Sequence, residues 1–441
     1  MHAMTSLLRS SFVVTAAALA VVAAGTARAD EIRHLDPTTC APVTKNVAEV
    51  VEENWLQVSY RVKVGQAVER LDTRLVLDIK RSNDDSQAVA FRAALTELDS
   101  GNAEAARAGF ASVAGGGRTI DPGTGKAEYK VFPAEVGKAR WYVGYGIYHY
   151  ALASYREGAA KGDKPLLEDA LRALDADSGE EKGFLVRYKE GKSRWYADGL
   201  LLKAQILLAL DRAEPAAAAF DALYQKAITS PIGARFAYEA KLGPGRVAEA
   251  KKDMTGAETA YEAATAALQS LLEQASDPCS RKEYGRFYNE ARMEKARVMR
   301  EAAEKDGSPA AFGRLRTFLQ QGTPEALKAK LAGRPPEVVE AVMGGALAPT
   351  VQAVAQNGIG LAFLAEKKYG EAVYAFTQVR IKYFSVGAEV PRALYYLAKA
   401  ADGAAAAATK PEGKALYQAQ ATAARQELQR SWKATTWATL K

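Results

Sequence analysis

Asn357-Gly-Ile-Gly-Leu-Ala-Phe-Leu-Ala-Glu-Lys-Lys-Tyr-Gly-Glu-Ala-Val-Tyr-Ala-Phe-Thr-Gln-Val379 decides the fold. Apolar residues recur at three- and four-residue spacing on both sides of a polar Glu366-Lys-Lys368. That is the pattern of two amphipathic helices joined by a tight turn. The first helix is predicted to end near Glu366 and the second to start near Tyr369. Gly360 and Ala372 are small and let the two helices approach closely, while Phe363, Tyr369 and Phe376 are placed to fill the seam.

Weaker copies lie upstream. Leu98-Asp-Ser-Gly-Asn-Ala-Glu-Ala-Ala106 is followed by Phe110 and Val113, and Leu210-Asp-Arg-Ala-Glu-Pro-Ala216 by Phe220 and Leu223. Ala257, Tyr261 and Ala264 repeat the second helix, as do Ala311, Leu315 and Phe318 after Asp306-Gly-Ser-Pro309. Trp141–Tyr155 with Leu166–Leu174 reads as a degenerate pair, and Pro391 opens a last pair closed by 415–432. The arrangement of small and large residues resembles the tetratricopeptide repeat (TPR), over roughly Gln87 to Trp432. The copies are spaced more widely than the roughly 34-residue step of a regular array, so longer helices, insertions or degenerate repeats are expected between them. Gly243-Pro-Gly245, Asp306-Gly-Ser-Pro309, Gly333-Arg-Pro-Pro336 and Asp121-Pro-Gly-Thr-Gly125 are read as breaks between helices.

Before Arg81 the period changes to two. Val58, Tyr60 and Val62 share one strand face, and Leu75, Leu77 and Ile79 another, with Val64-Gly65-Gln66 as a turn. The expected architecture is therefore mainly α: an α-solenoid of six or seven irregular TPR-like hairpins over 82–441, preceded by a small antiparallel β module of three or so strands within 30–81. A β segment of that size is too small to stand alone and should pack on the helices.

Residues 1–29 read as a signal peptide, with Arg9 as positive flank, an apolar run from Phe12 to Ala24, and Ala27-Arg28-Ala29 as cleavage site. The expected location is periplasmic or secreted. No later segment has the length and apolar purity of a membrane span. In an oxidising compartment Cys40 and Cys279 are permitted to bridge, which would pin the N-terminal segment to the middle of the helical array; two separate thiols are the alternative. The formal charge of +7 is small for 441 residues, with acids and bases interleaved, so no nucleic-acid partner is expected.

The residues carry little that points to catalysis. After the leader only His34 and His149 remain, no Cys pair has metal-ligand spacing, and Gly144-Tyr-Gly146 and Gly358-Ile-Gly360 lack the strand and the Gly-Lys-Ser/Thr of a phosphate loop. No enzyme, metal or cofactor is expected. The aromatic group Trp141, Tyr142, Tyr145, Tyr148 and Tyr150 cannot all face one seam at 100° per residue, so part of it is expected to be exposed. In TPR-like arrays the first helix of each pair lines the concave face. That resemblance nominates Asn357, Leu361 and Leu364 as a peptide-binding groove, with Ile359 and Phe363 turned to the partner helix. A short β segment before such repeats is similar to exported bacterial proteins of unassigned function, and the Ala393-Leu-Tyr-Tyr-Leu-Ala398 opening to repeats in envelope-assembly proteins. The expected role is scaffolding of a protein or peptide partner in the cell envelope. The alternatives are an all-helical carbohydrate-active enzyme and a self-assembling structural subunit.

Overall fold

A computed structural model describes residues 29–81, 86–120, 127–133, 141–178, 181–229 and 233–440. The expected leader and Asp121–Gly125 lie outside these residues, apart from Ala29.

The chain opens with six short strands: β1 (Asp30–Leu35), β2 (Pro42–Val47), β3 (Glu49–Glu53), β4 (Gln57–Arg61), β5 (Glu69–Asp72) and β6 (Val76–Lys80). They form two antiparallel three-stranded sheets, ordered β2-β1-β6 and β3-β4-β5. Ile32, Val47, Val50, Val58 and Tyr60 are buried between them. Lys45 ties the two sheets together by donating to the Tyr60 hydroxyl (2.8 Å) and to Glu69 (2.7 Å). The module is thus twice the size the alternation suggested. β1 and β2 escape a period-two reading because His34 follows Ile32, and Lys45 separates Val43 from Val47, on the faces that would be apolar.

The rest is helical. Seven hairpins follow in order: α1 (Ser86–Asp99) with α2 (Ala103–Ala114), α3 (Trp141–Lys161) with α4 (Lys164–Asp175), and, after the single turn α5 (Phe184–Arg187), α6 (Tyr196–Ala209) with α7 (Ala213–Thr229). Then come α8 (Ala234–Ala250) with α9 (Met254–Gln274), α10 (Pro278–Asp306) with α11 (Pro309–Gln320), α14 (Pro349–Ala365) with α15 (Tyr369–Lys382), and α16 (Glu389–Ala407) with α17 (Pro411–Ser431). An extra pair, α12 (Pro324–Lys330) and α13 (Pro336–Ala346), is inserted before α14, and α18 (Thr436–Thr439) closes the described chain. The two helices of each hairpin pack together, and the first helices of successive hairpins also touch one another, from α1 through α3, α6, α8, α10 and α14 to α16. This is an α-solenoid with the first helices drawn together along one face.

Five hairpins share one turn. Gly101, Gly162, Asp211, Lys252 and Lys367 all have left-handed backbone, with φ from +60° to +87°. In each, the next N–H donates to the carbonyl five residues back: Asn102 to Glu97, Asp163 to Gly158, Arg212 to Leu207, Asp253 to Ala248 and Lys368 to Phe363, all at 2.8–2.9 Å. Such a closure satisfies carbonyls that a helix end leaves orphaned. Five residues after the left-handed position stand Ala106, Leu167, Ala216, Ala257 and Ala372, all buried. Phe110, Phe220, Tyr261 and Phe376 follow four residues after the four alanines and are fully buried. The α10–α11 turn keeps the left-handed glycine, Gly307 (φ +70°), but closes instead with the Gly307 N–H donating to the Ala303 carbonyl (2.8 Å). Ser308 caps α11 by accepting from the Ala311 N–H (3.2 Å), and the buried place five residues after the glycine is held by Phe312, so Ala311, one residue earlier, is only partly buried.

One expected break is absent. Gly243-Pro244-Gly245 lies inside the continuous helix α8. The two glycines serve packing instead: a Cβ on Gly243 would enter the ring of Phe220, and one on Gly245 the ring of Tyr261. Gly360 likewise lies flush on Phe376, as the seam requires, and Gly358 on Leu319. Tyr369 is not in that seam; its ring rests on Gly403 of α16, so it joins one hairpin to the next.

Candidate functional site

The β module lies along the edge of the solenoid where the first helices begin. Trp55 donates its backbone N–H to the Gly191 carbonyl (3.0 Å) and sets its ring edge-on to Tyr196 at the start of α6 (centroids 5.4 Å). Gly191 must be glycine there: its φ is +77°, and a Cβ would occupy the Trp55 ring. Glu53 accepts from Arg81 at 2.7 Å and pairs with Arg194 at 3.3 Å, with all three side chains largely buried. At the far end Arg74 donates to Asp277 (2.8 Å) and to the Ser280 hydroxyl (3.0 Å). Asp277 is also the N-cap of α10 and accepts from the Ser280 N–H (2.8 Å). Burial opposes its charge, but Ser280 and the Arg74 guanidinium outweigh that and hold its carboxyl below the usual range. Cys40 and Cys279 form a disulfide beside this pair, with Cα atoms 5.4 Å apart.

This junction frames a cleft of about 710 Å3 between the β1–β2 connection, the first turns of α10, and α13. Its floor is built by close helix crossing. Gly285 of α10 meets the Ala341 carbonyl of α13, where a Cβ would collide with backbone. Asn289 pins the crossing by donating to the carbonyls of Gly285 and Val342, each at 2.9 Å. The rim carries three cations, Arg281, Lys282 and Arg286, and three carboxylates, Glu283, Glu337 and Glu340. Glu283 is the most enclosed of the acids; burial pushes its carboxyl up, with the Arg286 guanidinium pulling the other way. An apolar floor with a balanced polar rim favours recognition by shape and paired contacts rather than by net charge. Of these residues only Cys40 and Cys279 stood out in the sequence. The others come from three separated segments, and no spacing in the chain links them.

The groove expected from the repeat pattern is corrected. Asn357 is fully buried, and its amide donates to the Glu389 carbonyl (3.0 Å) and carboxylate (2.8 Å) at the start of α16. Leu361 is 4% exposed and belongs to the core, and Leu364 is half-buried against the same core, as are Ile359 and Phe363. α14 is packed by α10, α11, α15 and α16, which encloses Asn357 and Leu361.

Of the aromatic group, Tyr142, Tyr145, Tyr148 and Tyr150 are all buried rather than partly exposed, because α3 is wrapped by α1, α2, α4 and α6 and Phe132 stacks edge-on to Tyr150; the side chain of Trp141 lies outside the described residues. His149 lies among them and donates from Nδ1 to the Tyr145 carbonyl (2.7 Å). Burial pulls its pKa down to about 3, with Arg194 and Arg156 adding repulsion, so it is a neutral core residue. Among the described residues no cluster of His, Cys, Asp and Glu could hold a metal ion, and no single helix is long and apolar enough to cross a membrane.

No protein-family model matches the chain, and a search of curated proteins finds no significant relative.

Proposed function

We propose that this protein is an exported, TPR-like binding scaffold that holds a segment of a polypeptide partner in the cleft between the β module, α10 and α13. The cleft itself carries the reading: about 710 Å3 of space with a glycine- and alanine-lined floor, a rim of three cations and three carboxylates, and a wall fixed by the Cys40–Cys279 disulfide. A rigid wall lowers the ordering cost of binding. A disulfide supports an oxidising compartment, in keeping with the leader-like first residues. The recurring left-handed turn and the buried residue five places after it, alanine in four of the five hairpins, support the likeness to TPR hairpins.

Site-directed photo-crosslinking tests the reading. A photoreactive residue at Gly344, exposed at the cleft, should give a defined protein adduct in envelope preparations, whereas one at Leu416 on the exposed face of α17 should not. Filling the cleft with Ala348→Trp should abolish the Gly344 adduct. Equal adducts from both positions, or an adduct that survives Ala348→Trp in folded protein, would overturn it.

A further inference from the structure

A second recess, of about 430 Å3, opens on the side of the second helices, between α9 and α11 with α10 as its floor. At its base lies Arg292, whose side chain is enclosed on all but one side and is 6% exposed. Its guanidinium is near the rings of Phe318 (5.4 Å) and Tyr288 (5.9 Å). It also lies flush on Gly322 in the α11–α12 turn, where a Cβ would strike both terminal nitrogens. Among the described residues Arg292 makes neither an ion pair nor a hydrogen bond. The carboxylate lining the recess, Glu262, is already held by Lys295 at 2.6 Å. Lys330 of α12 adds a further cation at the exposed mouth. Burial draws the Arg292 guanidinium below its ordinary range, with Tyr288 and Glu262 opposing only in part.

A desolvated charge with no ion pair or hydrogen bond of its own is costly, and ring contacts recover only part of the loss. Here the chain spends a glycine to make room for that charge and leaves its nitrogens lining an open recess. We propose that this recess is an oxyanion site, in which Arg292, with Lys295 and Lys330 beside it, holds the carboxylate or phosphate group of a ligand entering between α9 and α11. The planar guanidinium suits either group, because both present two oxygens to its fork. The site is separate from the cleft at α13 and does not depend on what binds there.

Calorimetric titration of the disulfide-bonded chain, with inorganic phosphate and separately with succinate, tests the proposal. At least one should bind saturably with one site per chain, and bound anion should raise the melting temperature. Preference for phosphate identifies a phosphate-bearing ligand, and preference for succinate a carboxylate. Arg292→Met should fold, with a melting temperature equal to or above the parent's, since it removes an uncompensated buried charge. It should weaken binding by about tenfold or more and abolish the thermal shift. Lys330→Gln, at the exposed mouth, should weaken binding less. Should Arg292→Met fail to fold, Gly322→Ala takes its place: it displaces the guanidinium without removing it, and the same loss of affinity is expected. The proposal is overturned if neither anion binds at about 10 mM, or if binding is unchanged in a folded Arg292→Met or Gly322→Ala protein.

Discussion

His149 is one source of acid sensitivity in the N-terminal half. The folded chain holds it neutral with a pKa of about 3, while the unfolded chain protonates it near 6.5. Its contribution is therefore complete above pH 6.5 and is lost as pH falls below that value toward 3. Between pH 7 and pH 5 it should remove about 2 kcal/mol of stability; urea unfolding at the two pH values measures this, and His149→Gln should flatten the difference. Gly285 and Gly344 make a matched pair at the cleft. Gly285→Ala pushes a Cβ into the Ala341 carbonyl and should cost about 1–3 kcal/mol. Gly344→Ala meets open space and should gain up to about 1 kcal/mol from helix propensity. Comparable unfolding midpoints for the two variants would show that α10 and α13 do not cross there. The sequence made Gly360 and Phe376 legible as a seam, because small and large residues alternate across a local turn. It could not reveal the burial of Asn357, since Glu389, which receives its amide, lies in the next hairpin.

At the level of elements, the shared turn was legible only in part. Gly101 and Gly162 advertise a left-handed position, but Asp211, Lys252 and Lys367 adopt the same backbone without being glycine. A non-glycine residue there carries strain of about 1–2 kcal/mol. Lys252→Gly and Lys367→Gly should each stabilise the protein by about 0.5–1 kcal/mol, since added flexibility in the unfolded chain offsets part of the gain; chemical denaturation reads this directly. A lower midpoint for both variants would mean that the lysine side chains contribute more than the turn geometry shows. The Gly243-Pro-Gly245 misreading has the same root. Glycine next to proline ordinarily marks a break, but here tertiary packing against Phe220 and Tyr261 decides. The inserted helices α12 and α13, which wall both recesses, repeat nothing in the chain. Neither recess could therefore be assembled from sequence spacing.

Across the whole molecule the β module acts as a chord, fastened at α6 through Trp55 and Glu53 and at α10 through Arg74 and the disulfide. Hairpin stacks flex by small rotations at each interface, and a chord across several interfaces suppresses those rotations together. Cys279→Ser should cost up to about 5 kcal/mol by loop entropy, given the 239-residue separation. Small-angle scattering of the reduced chain should also show a broader distribution of dimensions than the oxidised one; identical profiles would mean that the noncovalent contacts alone hold the chord. The same separation imposes an order of events. Synthesis runs from the N-terminus, so Cys40 emerges well before the helix that carries its partner, and the first strands must wait for most of the array before they can dock at both ends. Only two cysteines occur in these 441 residues, so the long wait offers no wrong intramolecular pairing. The hazard it leaves is a bridge between two unfinished copies, and its severity grows with how densely those copies are crowded while they fold.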